Sequence, residues 1–296
     1  MKPAPAIPAL LAGLCDDAAL FPPGDAPVAK AVPAHRAHRQ AWYAPLVGPF
    51  LLGAQRVAEV AEAAASTAVG REPLDVVLVV PGGPAALPAA LAEVAARPSL
   101  RLVGVELGPD PDGTPAEAAA RGCAALDREL PGPPVTGAVE LRRGPGLDDT
   151  LDVVAGTRYR AKYRTGGLVA PAFPDPGELA LFITGCTARN LAFKCTAGLH
   201  HAVRHTDPAT GFTHHGFLNI LAATQAALVG RPHETLAALE SEDGSALAAA
   251  VAGLGSEGTR RLRSAFTAYG TCSIAEPLSD LTGLGLITLP TTLDHA

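Results

Sequence analysis

The stretch Arg158-Tyr159-Arg160-Ala161-Lys162-Tyr163-Arg164 alternates between cationic residues and residues without a formal charge. A period of two predicts a β-strand with two different faces. In a closed barrel of parallel strands, one face packs on the surrounding helices and the other points toward the barrel axis. We therefore expect Arg160, Lys162 and Arg164 to point inward.

Three further apolar runs place their ionisable residues on one face in the same way. Their expected inward residues are, run by run, Leu102, Gly104 and Glu106; Ala138, Glu140 and Arg142; and Lys194 and Thr196. Both faces of a barrel strand are buried, so a charged residue on it needs a partner or a ligand inside the protein. The pattern thus predicts a barrel whose axis is lined by ionisable groups.

Short apolar runs alternate with alanine-rich helical segments along the whole chain. The predicted strands begin near Leu14, Gly48, Asp75, Arg101, Gly137, Arg158, Leu191 and Ala265. The predicted helices include Ala54–Ser66, Pro84–Ala96, Thr114–Glu129, Leu147–Ala155 and Asp175–Asn190, and Gly216–Ser264 is expected to hold extra helices. Eight such units in 296 residues predict an α/β fold, a single (β/α)8 (TIM-type) barrel domain over residues 1–296 with extra helices between strands 7 and 8. The alternative is an open doubly wound sheet.

Composition excludes several classes of protein. A formal net charge of -6 argues against a dedicated binder of nucleic acid or of anionic membranes. Five scattered cysteines without a CxxC pair indicate a reducing compartment. The uncharged run Val76–Ala92 is interrupted by prolines and glycines, so we expect no membrane span and a cytoplasmic protein. Barrels often form homodimers, and the oligomeric state stays open.

The expected interior is rich in cations. Five cations and two carboxylates point inward in the four strands, before Asp16 and Asp17 of the first strand are added. Buried charge of one sign needs compensation, so we expect a small anionic metabolite bearing a phosphate or carboxylate. The alternative is a closed ion-pair network that holds the strands together.

Lysine is scarce, and its placement is informative. The chain has four lysines, at positions 2, 30, 162 and 194, and nineteen arginines. Lys162 and Lys194 fall on adjacent inward faces. Unlike arginine, a desolvated lysine can lose its proton and act as a nucleophile or base. The alternative is that both lysines are electrostatic clamps.

The segments after strands 6 and 7 carry further candidate binding residues. Glycines there let backbone N–H groups approach an anion, and a tract containing five of the nine histidines follows strand 7. The candidate substrate-binding residues are Arg142, Arg160, Arg164, Gly166, Gly167, Thr196, Gly198, Asp16, Asp17, His215 and Asn219. Of the remaining candidates, parity directs Cys195 outward into the core, and His35 and His38 are expected on a helix face.

Several runs carry resemblances to known families. FKCTAGLHH at 193–201, HGFLN at 215–219, DDAALFPP at 16–23 and GTCS at 270–273 resemble a family of uncharacterised bacterial (β/α)8-barrel-like proteins, which brings no assigned activity. KCTAGL at 194–199 is similar to the Lys-Thr-Ser-Thr-Gly-Phe-like stretch of class I aldolases of the deoxyribose-phosphate type. That resemblance implies a Schiff-base role for Lys194 and a second lysine before Gly-Gly, as at Lys162, although the two motifs occur here in the opposite order. The same stretch is also similar to the Lys-Thr-Thr-Pro-Gly-Leu run of barrel-type phosphoribosyltransferases.

These observations predict a lyase of the class I aldolase kind acting on a small anionic carbonyl compound, without a cofactor. Lys194 is expected to form the Schiff base, and Lys162 is expected to lower the pKa of Lys194. Glu106 or Glu140 would transfer protons, and Arg142 and Arg164 would bind the anion. His200 or His201 would act as an acid, as a base or as a lid contact. One alternative is a metal-dependent lyase or hydrolase whose divalent ion is held by His200, His201 and Glu106, with Glu140 or Asp16 as further ligands. Another is a non-catalytic binding protein for an anionic metabolite.

Overall fold

A closed barrel of eight parallel strands organises the protein, whose computed structural model describes residues 7–66 and 72–290. The barrel strands are β1 (Cys15–Asp17), β2 (Val47–Gly53), β3 (Leu74–Val80), β4 (Leu100–Leu107), β5 (Thr136–Glu140), β6 (Arg160–Arg164), β7 (Phe193–Thr196) and β10 (Phe266–Thr271). Strand β10 pairs with β7 on one side and with β1 on the other, which closes the barrel. The predicted (β/α)8 fold is confirmed, and each barrel strand begins within two residues of its predicted start.

Helices surround the barrel. They are α1 (Val28–Gln40), α2 (Val57–Ser66), α3 (Leu87–Ala95), α4 (Pro115–Glu129), α5 (Leu147–Ala155), α6 (Pro176–Ala188), α7 (Phe217–Leu228), α8 (Pro232–Glu240), α9 (Gly244–Ala252), α10 (Ser256–Ala265) and α11 (Ala275–Gly283). Short 3-10 helices cover Ala9–Leu11, Ala44–Leu46, Ala54–Arg56, Pro84–Ala86 and Ala170–Ala172. The extra helices expected before the last barrel strand are present as α7 to α10. No helix within residues 7–66 and 72–290 is both long and apolar enough to cross a membrane.

Capping residues fix where two of these helices begin. The Thr114 side chain accepts a hydrogen bond from the backbone N–H of Glu117, and the Glu117 carboxylate accepts one from Thr114. Asp175 and Glu178 form the same reciprocal pair at the start of α6. These boxes satisfy N–H groups that the first helical turn leaves without partners. They set the ends of the loops that leave β4 and β6.

The main core lies between the barrel and the helices. Tyr163 stacks on Phe182 with ring centroids 4.2 Å apart, and Phe182 packs edge-on against Phe193 at 5.2 Å. Phe193 stacks in turn on Phe266 at 5.3 Å. Cys195 is fully buried in this outer core, as its parity predicted.

A bulge in β4 changes which residues face the interior. Val76 lies opposite Leu102 and Val77 opposite Gly104, so Val103 is the extra residue. Val103 packs against a separate small cluster with Val77, whereas Leu102 packs on the outer core. The prediction that Leu102 points inward is therefore wrong, because a bulge shifts the phase of alternation. The expected parity resumes at Gly104 and holds for Glu106.

Candidate active site

The barrel interior holds a row of alternating charges built from five strands. Glu106 on β4 stands between two lysines: its Oε2 lies 2.7 Å from Lys162 Nζ, and its Oε1 accepts a hydrogen bond from Lys194 Nζ. Lys194 also donates to Asp16 Oδ2 on β1 at 2.5 Å. Glu140 Oε2 lies 3.0 Å from Lys162 Nζ. The pairing of neighbouring strands explains this proximity, because Lys162 is the register partner of both Glu140 and Lys194.

Arg164 ends this row at the carboxyl end of β6. Its Nε lies 3.1 Å from Glu140 Oε1, and 45 % of its side chain remains exposed. We call the six residues Asp16, Lys194, Glu106, Lys162, Glu140 and Arg164 the central charge row.

The central charge row carries three cations and three carboxylates, so its formal charge is zero. The expected excess of positive charge is therefore wrong for this part of the barrel. Asp16 adds a third carboxylate, and both Arg142 and Arg160 lie elsewhere. Burying a charge without a partner is costly, and the alternation of cations and carboxylates gives each buried charge an opposite partner that offsets this cost.

Pairing determines the protonation of the row. Burial alone would raise the pKa of Glu106, but Lys162 and Lys194 reverse this and lower it. Burial would likewise raise the pKa of Glu140, which Lys162 and Arg164 lower instead. Burial would lower the pKa of Lys162, yet the two carboxylates beside it raise it. Asp16 differs, because burial outweighs Lys194 and raises its pKa.

A cavity of about 870 Å³ opens over the carboxyl ends of the strands. Active sites of (β/α)8 enzymes occupy this end of the barrel. Glu106, Lys162 and Arg164 belong to its lining. Lys194 contacts Glu106 but is not part of the lining, although the two lysines are almost equally buried. Of the two interior lysines, Lys162 is therefore the one that a molecule in the cavity would meet.

Two histidines of the tract after β7 face the cavity as predicted, each beside a carboxylate. His200 Nδ1 lies 3.3 Å from Glu276 Oε2 and 3.5 Å from the Cys272 sulfur. His201 Nδ1 donates to Asp280 Oδ2 at 3.1 Å. Burial lowers the pKa of His200, although Glu276 opposes this effect. A carboxylate on Nδ1 fixes the orientation of an imidazole, which suits proton transfer through Nε2.

The two-residue strands β8 (His205–Thr206) and β9 (Thr213–His214) form an antiparallel hairpin beside the cavity. His205 and His214 are register partners and stack with centroids 5.2 Å apart. His214 Nδ1 donates to the carbonyl of Gly198 at 3.2 Å, which ties the hairpin to the turn after β7. Phe173 packs on His214 at 4.6 Å and on Phe212 at 5.5 Å.

The candidate glycine turns meet each other at the mouth. A Cβ on Gly166 would lie 2.7 Å from the Cα of Gly198, so the two turns can approach this closely only without side chains. Gly198 has a φ of 74°, which also favours glycine. Gly167, Thr196 and Gly198 line the cavity, whereas Gly166 supports the turn from behind.

Three predicted binding residues have structural partners instead. Asp17 points away from the axis, where its carboxylate lies 2.9 Å from His35 Nδ1. Adjacent residues of a strand face opposite sides, so Asp16 and Asp17 cannot share the interior. His35 is consequently buried against β1 rather than displayed on a helix face. His215 donates to the carbonyl of Pro174 at 2.8 Å, and Asn219 donates to the carbonyls of Ala238 and Ser241 at 2.7 Å each.

Two predicted arginines also lie outside the cavity. Arg142 follows the end of β5 and donates to the carbonyls of Pro111 and Gly113, so it fastens a loop. Arg160, the first residue of β6, donates to the hydroxyls of Thr136 and Thr267 at 2.9 and 3.2 Å, at the opposite end of the barrel.

The metal alternative lacks a ligand cluster in the described parts of the chain. Within residues 7–66 and 72–290, no group of three or more His, Cys, Asp or Glu side chains is arranged to hold a metal ion. Glu106 is occupied by two ammonium groups, and His200 and His201 lie beside different carboxylates. The residues proposed as ligands do not fit that role in this arrangement.

Several lining residues had no assigned role from the sequence, including Phe21, Phe173, Phe212 and Glu276. A signal existed for two of them: Phe173 stands among prolines after strand 6, and Phe212 stands in the polar histidine tract. Large apolar residues in otherwise polar loops are candidates for ligand contact. The sequence matches no family model and no curated protein.

Proposed function

We propose that this protein is an enzyme that makes or breaks a carbon–carbon bond in a carbonyl compound, through a Schiff base on a barrel lysine. The observation that carries the proposal is the placement of Lys162, a buried lysine between two carboxylates that also lines the mouth cavity. Many enzymes share this fold, but the fold alone assigns no chemistry.

The nucleophile in this proposal is Lys162 rather than Lys194, the residue that the sequence motif indicates. Lys194 does not line the cavity and is paired with two carboxylates, Asp16 and Glu106. Its role is to hold the Glu106 carboxylate ionised and in place. Lys162 has the same kind of partners but also meets the cavity.

The chemistry begins with a proton transfer. The raised pKa of Lys162 keeps its amine protonated at neutral pH. Transfer of this proton to Glu106 or Glu140, whose own pKa values are lowered, yields the free amine in only a small fraction of molecules. The free amine then attacks the carbonyl carbon, and loss of water leaves an iminium ion. This ion accepts the electron pair of the bond between the α and β carbons as that bond breaks, and loss of the β-hydroxyl proton releases an aldehyde. Protonation of the remaining enamine and hydrolysis by water then release the second product and free Lys162. His200, beside Glu276, is placed to exchange a proton with the fragment above it.

Arg164 is the group that would meet an anionic part of the substrate. Only its Nε is engaged with Glu140 in the contacts described above, and nearly half of the side chain is exposed to the mouth. A carboxylate or phosphate on the substrate suits a guanidinium with free donors.

Borohydride trapping tests the proposal. Pyruvate, succinic semialdehyde and glyceraldehyde phosphate each serve as a carbonyl probe, and intact mass with peptide mapping locates the reduced adduct. We expect one adduct on Lys162, lost in Lys162→Arg and retained in Lys30→Arg, which changes an exposed lysine on α1. An adduct on Lys194 would return the nucleophile to the residue expected from the sequence. The absence of any interior adduct would overturn the Schiff-base chemistry.

A specific observation favours a second candidate, a non-catalytic binding protein. Both interior lysines are held as ammonium groups by carboxylates, so neither needs to lose its proton in a protein that only binds its ligand. In that case Lys162→Arg should keep the affinity for an anionic ligand, because only the positive charge matters.

A further inference from the structure

We infer that the ligand of the mouth cavity carries a planar ring, which packs against a wall of aromatic side chains. This inference deepens the proposed function, on which it rests for the reacting carbonyl group. We call Phe173, Phe212, His205 and His214 the aromatic wall.

The distribution of phenylalanine supports this inference first. The chain has eight phenylalanines. Five of them are fully buried in the outer core, namely Phe50, Phe182, Phe193, Phe217 and Phe266. The other three, Phe21, Phe173 and Phe212, are only partly buried, and all three line the cavity. All three phenylalanines that are not fully buried are thus placed where a ligand would cover them.

The geometry of the wall supports it second. The rings form a continuous row in which Phe212 contacts Phe173, Phe173 contacts His214 and His214 contacts His205. His201 extends the row, with its centroid 4.8 Å from that of His205. Rings attract further rings in stacked or edge-on arrangements beyond the effect of buried area alone. The backbone pairing of the hairpin holds His205 and His214 side by side before any ligand arrives.

The size and polarity of the cavity support it third. Its volume of about 870 Å³ is near the upper end of the range of about 300–1,000 Å³ that suits drug-sized ligands. The reacting groups Glu106, Lys162 and Arg164 form one polar part of the lining, and the aromatic wall forms another part. A ligand with a carbonyl head and a ring some atoms away would use both parts.

Calorimetric titration with two unreactive acids tests the inference without using the carbonyl chemistry. Phenylpropanoate and cyclohexylpropanoate share a carboxylate and a chain and differ only in whether the ring is aromatic. An ordinary apolar pocket would bind both equally or would prefer the cyclohexyl compound. We expect phenylpropanoate to bind about threefold to tenfold more tightly, as contacts between aromatic rings predict.

Variants locate the effect. Phe173→Leu keeps an apolar side chain but removes the ring, and we expect it to abolish the preference for the phenyl compound. Leu181→Ala, on the exposed face of α6, is the control and should leave the preference unchanged. Equal affinity for the two acids, no binding of either, or a preference that survives Phe173→Leu would each overturn the inference.

The reactive pair phenylpyruvate and pyruvate separates this inference from the proposed function. If pyruvate gives the borohydride adduct but phenylpropanoate shows no advantage, the ring inference fails while the Schiff-base chemistry stands. If phenylpropanoate binds with the expected preference but neither keto acid gives an adduct, the chemistry fails and the aromatic wall is a binding surface in its own right.

Discussion

Glu106 Oε2 lies 2.7 Å from Lys162 Nζ although a whole strand separates their backbones. Glu106 is on β4 and Lys162 on β6, so the contact passes over β5. The β5 residue in register with Glu106 is Ala138, whose methyl group leaves the space open. The small side chain of Ala138 thus lets the charged side chains of the two flanking strands meet.

The first prediction concerns the stability contributed by Glu106. Glu106→Gln keeps the shape but leaves Lys162 and Lys194 each without one carboxylate. Removing one member of a buried ion pair typically costs about 3–5 kcal/mol. We expect a loss of that order in the free energy of unfolding, measured with urea. Asp75→Asn, which breaks an exposed pair with Arg101, is the matched control and should cost less than about 1 kcal/mol. Similar losses in the two variants would contradict a stabilising role of the central charge row.

The second prediction concerns acid stability. The pKa of Glu140 is lowered in the folded protein, so its contribution is complete above the unfolded value of about 4.3 and is lost as the pH falls through the folded value. We therefore expect Glu140→Gln to lose less stability than the wild-type protein between neutral pH and about pH 3. Urea unfolding across this range measures the difference, and parallel curves for the two proteins would refute it.

The third prediction concerns Asp17, the neighbour of Asp16 on the outer face of β1. Asp17 accepts hydrogen bonds from His35 and from the backbone N–H of Ala19, and it does not line the cavity. Asp17→Asn should cost about 1–3 kcal/mol of stability, because buried groups lose a charged partner. The borohydride adduct on Lys162 should remain in this variant. Loss of the adduct in a folded Asp17→Asn protein would place Asp17 in the chemistry after all.

The fourth prediction uses Cys272 as a reporter of cavity occupancy. Burial raises the pKa of this thiol to about 11. Only about one molecule in a thousand is then the reactive thiolate at pH 8, so alkylation by iodoacetamide should be slow. Cys272 lines the cavity, and a bound ligand should slow the reaction further. An unchanged rate in saturating phenylpropanoate would show that this acid binds elsewhere.

The alternation of charge along short strands was enough to predict the fold and the inward positions of Glu106, Glu140, Lys162 and Lys194. Side-chain direction in a strand follows from sequence position alone. Alternation does not predict side-chain direction beyond the end of a strand. Arg142 lies beyond the last residue of β5, so alternation no longer controls its direction.

The balance of charge and the aromatic wall needed three-dimensional information. Lys194 has Asp16 as its second carboxylate partner, and Asp16 comes from the other end of the chain and is brought close by barrel closure. The strands of the hairpin contain two residues each, too few for a periodic pattern. His215 and Asn219 look like site residues in the sequence, but they satisfy backbone carbonyls near the start of α6 and the end of α8.

The contact between Lys194 and Asp16 also bears on how the chain reaches its final form. Strands β4 to β7 carry five of the six members of the central charge row, but Asp16 arrives only with β1. Without β1 the row would hold three cations against two carboxylates, and Asp16 restores the balance as the barrel closes. The last ion pair of the row and the closed barrel therefore form together, because both depend on the arrival of β1.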